Sequence, residues 1–234
     1  MSSVLTPHPS TLTPQPSLRI GIFGGSFNPV HLGHTALAAY ICEQGLVDEV
    51  WMMVSPQNPL KQDLMLLDEQ HRLAMLRLAV EPYPMLQACD FEFHLPRPSY
   101  TYHTLQALRA AYPKHAFSLI IGEDNWDCFD RWFRGDDILR ETPIIIYPRD
   151  SVESLELRVE GAALPSRFVP ASACKSNNEV VNPQPSTLLP QRSPLTLFPF
   201  SSTDVRNNLA SDQCVDHMLH PAVVEYIHRN RLYQ

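Results

Sequence analysis

Two hydrophobic periods alternate along this chain. Leu18 to Phe23 is a short apolar run, with Arg19 to Phe23 read as a buried strand, and His34 to Gln44 is an alanine-rich helical run. Glu49 to Val54 is a second strand. Leu67 to Val80 is a helix whose apolar face carries Leu73, Leu76, Ala79 and Val80. Leu86 to Phe93 reads as extended, and Tyr102 to Ala111 as a helix stopped by Pro113. Ala116 to Ile121 is apolar on both faces apart from Ser118, as befits a strand covered on both sides. Asn125 to Phe133 reads as a short helical piece, and Pro143 to Tyr147 as a further strand. Pro221 to Ile227 reads as a closing helix with proline in its first turn.

This alternation predicts an α/β fold: a Rossmann-like, doubly wound parallel sheet of about five or six strands with flanking helices. Ligands of such sheets lie beyond the carboxyl ends of the strands. Gly24-Gly25 and Gly122-Glu123-Asp124 both follow strands there. Two stretches break the pattern. Residues 1–17 are rich in Pro, Ser and Thr and read as a disordered tail ahead of a single domain over 18–234. Within 150–194, Ser176-Asn177-Asn178 and Asn182-Pro183-Gln184-Pro185-Ser186 mark a flexible insertion. A short strand is expected within Arg158 to Phe168, and a return to the sheet at Leu195 to Phe198.

Composition narrows the function classes. A formal net charge of −7 argues against general nucleic-acid binding, so an anionic substrate must be held by local groups. No apolar run approaches the ~18 residues of a membrane span. The first 17 residues have neither the basic start nor the apolar core of a signal peptide. Five cysteines (Cys42, Cys89, Cys128, Cys174 and Cys214) show no C-x-x-C spacing, which suits a reducing cytoplasm. No zinc-ligand spacing emerges from the ten histidines, and no resident metal is expected.

The chemistry concentrates in Gly24-Gly25-Ser26-Phe27-Asn28-Pro29-Val30-His31-Leu32-Gly33-His34. A strand, a glycine turn and a helix start aim backbone N–H groups at an anion. His31 and His34, three apart, share a face there. The stretch is neither a G-x-G-x-x-G dinucleotide fingerprint nor a P-loop, since no G-K-[ST] follows. Far downstream, Ser201-Ser202-Thr203-Asp204-Val205-Arg206 opens another helix. A capping box explains Ser201 and Asp204. It does not explain Arg206, which suits a phosphate at the same helix end.

Together the two segments resemble the signatures of the nucleotidyltransferase superfamily with an H-x-G-H motif. Pro98-Ser99-Tyr100-Thr101, Ile120-Ile121-Gly122-Glu123-Asp124 and Arg131-Trp132 are further similar to segments of bacterial nicotinate mononucleotide adenylyltransferases. The resemblance covers most of 18–149 and 195–234. It implies adenylyl transfer from ATP to nicotinate mononucleotide, giving nicotinate adenine dinucleotide and pyrophosphate, with Mg²⁺ accompanying ATP. It implies catalytic roles for His31, His34 and Arg206. Gly24, Gly25, Ser26, Phe27, Lys61, Ser201, Ser202 and Thr203 would join them around ATP. Asn28, Thr101, Asp124, Trp132 and Phe133 would hold the mononucleotide, with its base stacked on Trp132. One position departs: Leu60 stands where many members have histidine in a P-P-H-K segment.

Taken singly, some of these residues suit a purely structural role. Trp132 alone suits a core or interface aromatic, and Asp124 alone suits a helix cap. His94 and His103 have no motif support and read as structural. A sister transferase acting on phosphopantetheine or nicotinamide mononucleotide, or a non-catalytic nucleotide-binding regulator, would share part of the pattern. Whether the chain forms a homo-oligomer is not encoded in any motif.

Overall fold

The computed structural model describes residues 17–56, 66–148, 157–164, 187–188 and 200–233. Five strands form the parallel part of the sheet: β1 (Arg19–Gly25), β2 (Glu49–Val54), β3 (Leu86–Cys89), β4 (Ala116–Gly122) and β5 (Pro143–Tyr147). Two more, β6 (Arg158–Gly161) and β7 (Thr187–Leu188), extend one edge antiparallel. The order across the sheet is β3-β2-β1-β4-β5-β6-β7. The chain therefore winds outward from β1 through β2 to β3, then crosses back to β4 on the other side. The strand order reverses between β1 and β4, and a crevice opens beyond their carboxyl ends.

Helices cover both faces. On one side lie α1 (Leu32–Glu43), α2 (Glu69–Val80), α6 (Ser202–Ala210) and α7 (Pro221–Asn230). Leu37, Ile41, Leu73, Leu76, Val205 and Val223 pack there into one core cluster. On the other side α3 (Thr101–Ala111) and α5 (Gly135–Glu141) bury Leu105, Leu108 and Ile138. One-turn α4 (Glu123–Trp126) follows β4 directly. Along β4 the side chains alternate between the layers. Phe117, Leu119 and Ile121 join one cluster, and Ile120 the other. A chain of apolar residues with both faces covered is what the Ala116 to Ile121 run encodes.

The structure shifts several sequence expectations. The strands at Glu49–Val54 and Pro143–Tyr147 have the bounds read from the sequence. Helix α1 begins at Leu32 rather than His34, so His31 is the N-cap and not a first-turn residue. Extended structure after Leu86 stops at Cys89, and a 3₁₀ turn follows at Phe91–His94. Buried Glu92 explains the turn: its Oε1 accepts the Thr104 hydroxyl at 2.9 Å, which pulls the chain toward α3. Asn125 to Phe133 is not one helix but the end of α4 followed by a 3₁₀ turn at Phe129–Arg131. Helix α5 was not legible, being only two turns long with one buried position, Ile138. The sheet is not wholly parallel, because the stretch after β5 folds back as antiparallel β6. Residues 1–16 of the tail predicted over 1–17, the centre of the insertion and the Leu195 to Phe198 segment lie outside the described residues.

Cys42, Cys89, Cys128 and Cys214 are free thiols, and Cys174 lies outside the described residues. Burial pushes the Cys42 thiol up to about 12 and that of Cys89 up to about 11, so both stay protonated and unreactive. Among the described residues no helix is long and apolar enough to cross a membrane.

Candidate active site

A cavity of about 390 Å³ occupies the crevice beyond β1 and β4. The glycine turn, both histidines, Thr101, Asp124, Trp132 and the start of α6 all line it. Residues from four distant parts of the sequence thus share one space. Phe133 is not on its wall, and Lys61 lies outside the described residues, as does Leu60.

The glycine turn is built around Phe27, which has a left-handed φ of 44° and is only 2% exposed. Its ring lies so close over Gly25 that a Cβ there would meet ring carbons at 3.0 to 3.2 Å. Gly25 is therefore required by the close approach of that ring. Phe27 also stacks edge-on against Phe23 at 5.8 Å and against His34 at 5.1 Å. Its side chain belongs to the core, so any ligand contact it makes is through the backbone. Asn28, also 2% exposed, is similarly engaged. Its Oδ1 accepts from the Tyr233 hydroxyl at 2.8 Å and from the Leu67 N–H at 3.3 Å.

At the start of α1 the His31 and His34 rings stack, with centroids 3.7 Å apart and planes 30° from parallel. His34 Nδ1 accepts the His31 backbone N–H at 3.2 Å. A ring nitrogen that accepts carries no proton, so this bond assigns the neutral imidazole's N–H to Nε2. Helix α1 has no acidic residue in its first turn, leaving the positive end of its dipole uncompensated by its own side chains.

Beneath the turn lies Arg72, on α2 and only 1% exposed. Its guanidinium donates to backbone carbonyls alone: Ser26 at 2.7 Å, Ser55 and Leu67 at 2.8 Å, and Pro56 at 2.9 Å. It ties the glycine turn to the end of β2. Burial lowers its pKa from the usual arginine value, yet the group remains a cation. The sequence did contain its signal. Arg72, Leu76 and Ala79 fall on one face of α2 at i, i+4 and i+7, a charge inside an apolar stripe.

Helix α6 starts beside α1 on the same wall of the cavity. Ser201 and Asp204 form the capping box read from the sequence. Asp204 Oδ2 accepts from the Ser201 N–H at 2.6 Å and the Ser201 hydroxyl at 2.7 Å. These bonds hold the Asp204 carboxyl below the usual carboxylate range. Ser202 Oγ donates to the Pro29 carbonyl at 2.9 Å, which fastens the two helix starts together. Arg206 Nη1 donates to the Asn28 carbonyl at 2.7 Å, and Nη2 to Thr203 Oγ1 at 3.1 Å.

The far wall differs in character. The Asp124 carboxylate folds back over Gly122, close enough that a Cβ there would lie 2.5 Å from its Oδ1 and 3.2 Å from the Tyr147 ring. Trp132 is half-buried, tilted against Phe129 at 5.1 Å. Its Nε1 is buried and has no partner among the described residues. Trp126 stacks on Phe129 at 5.3 Å and, like Trp132, packs partly buried against the core cluster, but it does not line the cavity. Phe133 is 45% exposed, within an aromatic group that includes Tyr100 at 4.9 Å and His103 at 5.3 Å. Tyr100, the N-cap of α3, makes no side-chain cap bond, so its side chain satisfies none of the first-turn N–H groups. Glu92, Ser55 and Thr104 also reach the wall and carried no motif in the sequence. Burial raises the Glu92 carboxyl pKa, which the Thr104 and Ser55 hydroxyls partly offset.

A parallel α/β sheet, a cavity at its switch point, and a paired-histidine helix start define a nucleotidyltransferase architecture. The sequence model of the cytidylyltransferase-like family matches residues 22–208, and the chain belongs to that family. Its relatives narrow the class. The chain is 46% identical over 210 residues to a Bacteroides thetaiotaomicron protein named probable nicotinate-nucleotide adenylyltransferase, covering 90% of this chain and 91% of that one. A Flavobacterium johnsoniae protein of the same name is 37% identical over 220 residues, covering 93% and 100%. Among solved structures, the Plasmodium falciparum nicotinic acid mononucleotide adenylyltransferase complexed with NaAD shares the fold. Its TM-score is 0.65 at 19% identity, over 92% of this chain and 97% of that one.

Proposed function

We propose that this protein transfers the adenylyl group of ATP to nicotinate mononucleotide, releasing pyrophosphate and nicotinate adenine dinucleotide. The observation that carries this reading is the shared cavity. One wall holds two helix starts suited to phosphates, and the other holds Trp132 and the uncapped start of α3.

A 5′-phosphate oxygen of the mononucleotide attacks the α-phosphorus of ATP. The new O–P bond forms as the bond to the bridging oxygen breaks, and pyrophosphate carries away the electron pair. The attacking oxygen is already ionised, so no protein nucleophile or strong base is required. Catalysis is positioning plus stabilisation of charge on the reacting phosphates. His34, with its N–H on Nε2, donates to an α-phosphate oxygen as negative charge builds there. His31 stacks on it and acts on the same group. Backbone N–H groups of the Gly24 to Phe27 turn and of the α1 start cradle the phosphates. Arg206, with the N–H groups of Ser202 and Thr203, holds the outer ones, and Lys61 is assigned to the triphosphate.

Mg²⁺ arrives with ATP as part of the substrate. Among the described residues no group of three or more His, Cys, Asp or Glu is arranged to hold a metal by itself. An ion held chiefly by phosphate oxygens and water suits such a site. On the far wall the pyridine ring stacks on Trp132. Its carboxylate meets the N–H of Thr101, and Asp124 lies near the sugar. A carboxylate gains charge-assisted bonds there that an amide does not.

The test is product identity. The protein incubated with MgATP and nicotinate mononucleotide should yield nicotinate adenine dinucleotide and pyrophosphate in equal amounts by mass spectrometry. Formation of dephospho-coenzyme A from phosphopantetheine instead would assign the sister reaction. Binding of ATP without turnover of any acceptor would assign a regulator.

A further inference from the structure

Helix α7 ends in a way that returns the chain to the active site. Arg231 takes a left-handed φ of 51°, and the Leu232 N–H bonds back to the Ile227 carbonyl at 3.0 Å. Leu232 is buried in the core, and Tyr233, with φ 63°, is folded inward beside it. The Tyr233 hydroxyl donates to Asn28 Oδ1 at 2.8 Å, across 205 positions of sequence. The carbonyl of that same Asn28 accepts Arg206 Nη1 at 2.7 Å. Arg206 Nη1 also donates to the Ser202 carbonyl at 3.2 Å. Two bonds on one residue thus link the end of α7 to the arginine at the start of α6.

We propose that Tyr233 is a positioning residue for ATP binding, fixing Asn28 so that the Asn28 carbonyl sets the orientation of the Arg206 guanidinium. This rests on the assignment of Arg206 to the phosphates. The physical basis is the planar fork of arginine, which grips a phosphate only when its plane is set. Tyr233 lines no part of the cavity and touches no reacting atom. Its hydroxyl is suited to the task because burial raises its pKa further, against the pull of the Arg206 and Arg72 guanidiniums. It remains a neutral donor at every pH at which the protein works. Asn28 Oδ1 also accepts the Leu67 N–H. The Tyr233 hydroxyl and the Leu67 N–H thus converge on one oxygen from remote parts of the chain.

A double-mutant cycle on MgATP affinity tests the coupling. Kd is measured by calorimetry for the wild type, Tyr233→Phe, Arg206→Ala and the double variant, with melting temperatures alongside. A hydrogen bond of this kind is worth a factor of about three to ten in binding. Tyr233→Phe should weaken MgATP binding by about that factor, with a melting temperature close to wild type. In the Arg206→Ala background the same substitution should change Kd by less than about twofold, because the group it positions is gone. An unchanged Kd for Tyr233→Phe, or an equal loss in both backgrounds, overturns the proposal while leaving the functional assignment intact. An Arg206→Ala variant that binds MgATP normally overturns the phosphate role of Arg206 and this proposal together.

Discussion

Helices α1 and α6 begin side by side on one wall of the cavity and close their first turns by the same three-residue device, with opposite chemistry. At α6 the reciprocal partner is the Asp204 carboxylate, which engages both the N–H and the hydroxyl of Ser201. At α1 the partners are His31 and His34, and the bond between them leaves no anion in the first turn. A carboxylate at a helix start already satisfies the dipole. An imidazole pair at the same place satisfies a backbone N–H and still favours an incoming phosphate. The difference teaches where charge is stabilised during reaction. In the proposed reaction the α1 start is kept for the α-phosphate. The α6 start is a self-satisfied frame that presents Arg206 and the Thr203 side of the turn.

The contrast is sharpest at His34. Replacing His34 with alanine removes a preorganised donor to developing charge, a loss of about 10²–10³ in rate. We expect kcat to fall by that factor with circular dichroism unchanged. A near-normal kcat would remove α1 from the chemistry. The far wall should respond differently. Trp132→Ala should raise KM for the mononucleotide by the equivalent of about 1–3 kcal/mol of base stacking, and leave KM for ATP nearly unaltered. Trp132→Phe keeps most of the stacking but deletes the buried Nε1–H, which has no partner among the described residues. An intermediate KM for that variant would show that the indole N–H reaches substrate. Trp126→Ala, which loses core packing, should lower the melting temperature rather than raise either KM.

At α6 the expected effects are smaller and concern stability. Asp204→Ala removes the capping box, which costs about 1 kcal/mol in chemical denaturation. The sign of the pH dependence follows from the depressed Asp204 carboxyl. A carboxylate whose folded pKa lies below its unfolded value contributes stability above the unfolded value of about 4. That contribution is lost as pH falls through the lower, folded value. Asp204→Asn should therefore narrow the stability gap between pH 7 and pH 3 relative to wild type. An unchanged gap would mean that the box contributes nothing in solution.

Much of this site was legible because its logic is local. The strand before Gly24, the paired histidines and the Ser201–Asp204 box each lie within a few residues, and a period or a spacing exposes them. What the sequence hid depends on contacts between remote segments. Phe27 looked like a ligand-facing residue until its ring was found over Gly25 in the core. Asn28 looked like a substrate contact, and its side-chain oxygen proves to be held by Tyr233 and Leu67. Arg72 carried a helical-face signal, but its four carbonyl partners lie on three separate segments. The short strand expected within Arg158 to Phe168 is β6, but its antiparallel direction escaped notice for a related reason: it is set by the pairing with β5 rather than by a pattern of its own.

One assay bears most directly on the proposed reaction: pyrophosphate release from MgATP with nicotinate mononucleotide, nicotinamide mononucleotide and phosphopantetheine in parallel. The uncapped N–H groups at the start of α3 and the stacking platform of Trp132 predict a clear order. The acid mononucleotide should give the highest kcat/KM, and the amide a value lower by roughly tenfold or more, the loss of one charge-assisted bond. Phosphopantetheine should give no release above background. Equal kcat/KM for acid and amide would contradict the carboxylate site, and preferential turnover of phosphopantetheine would contradict the functional assignment itself.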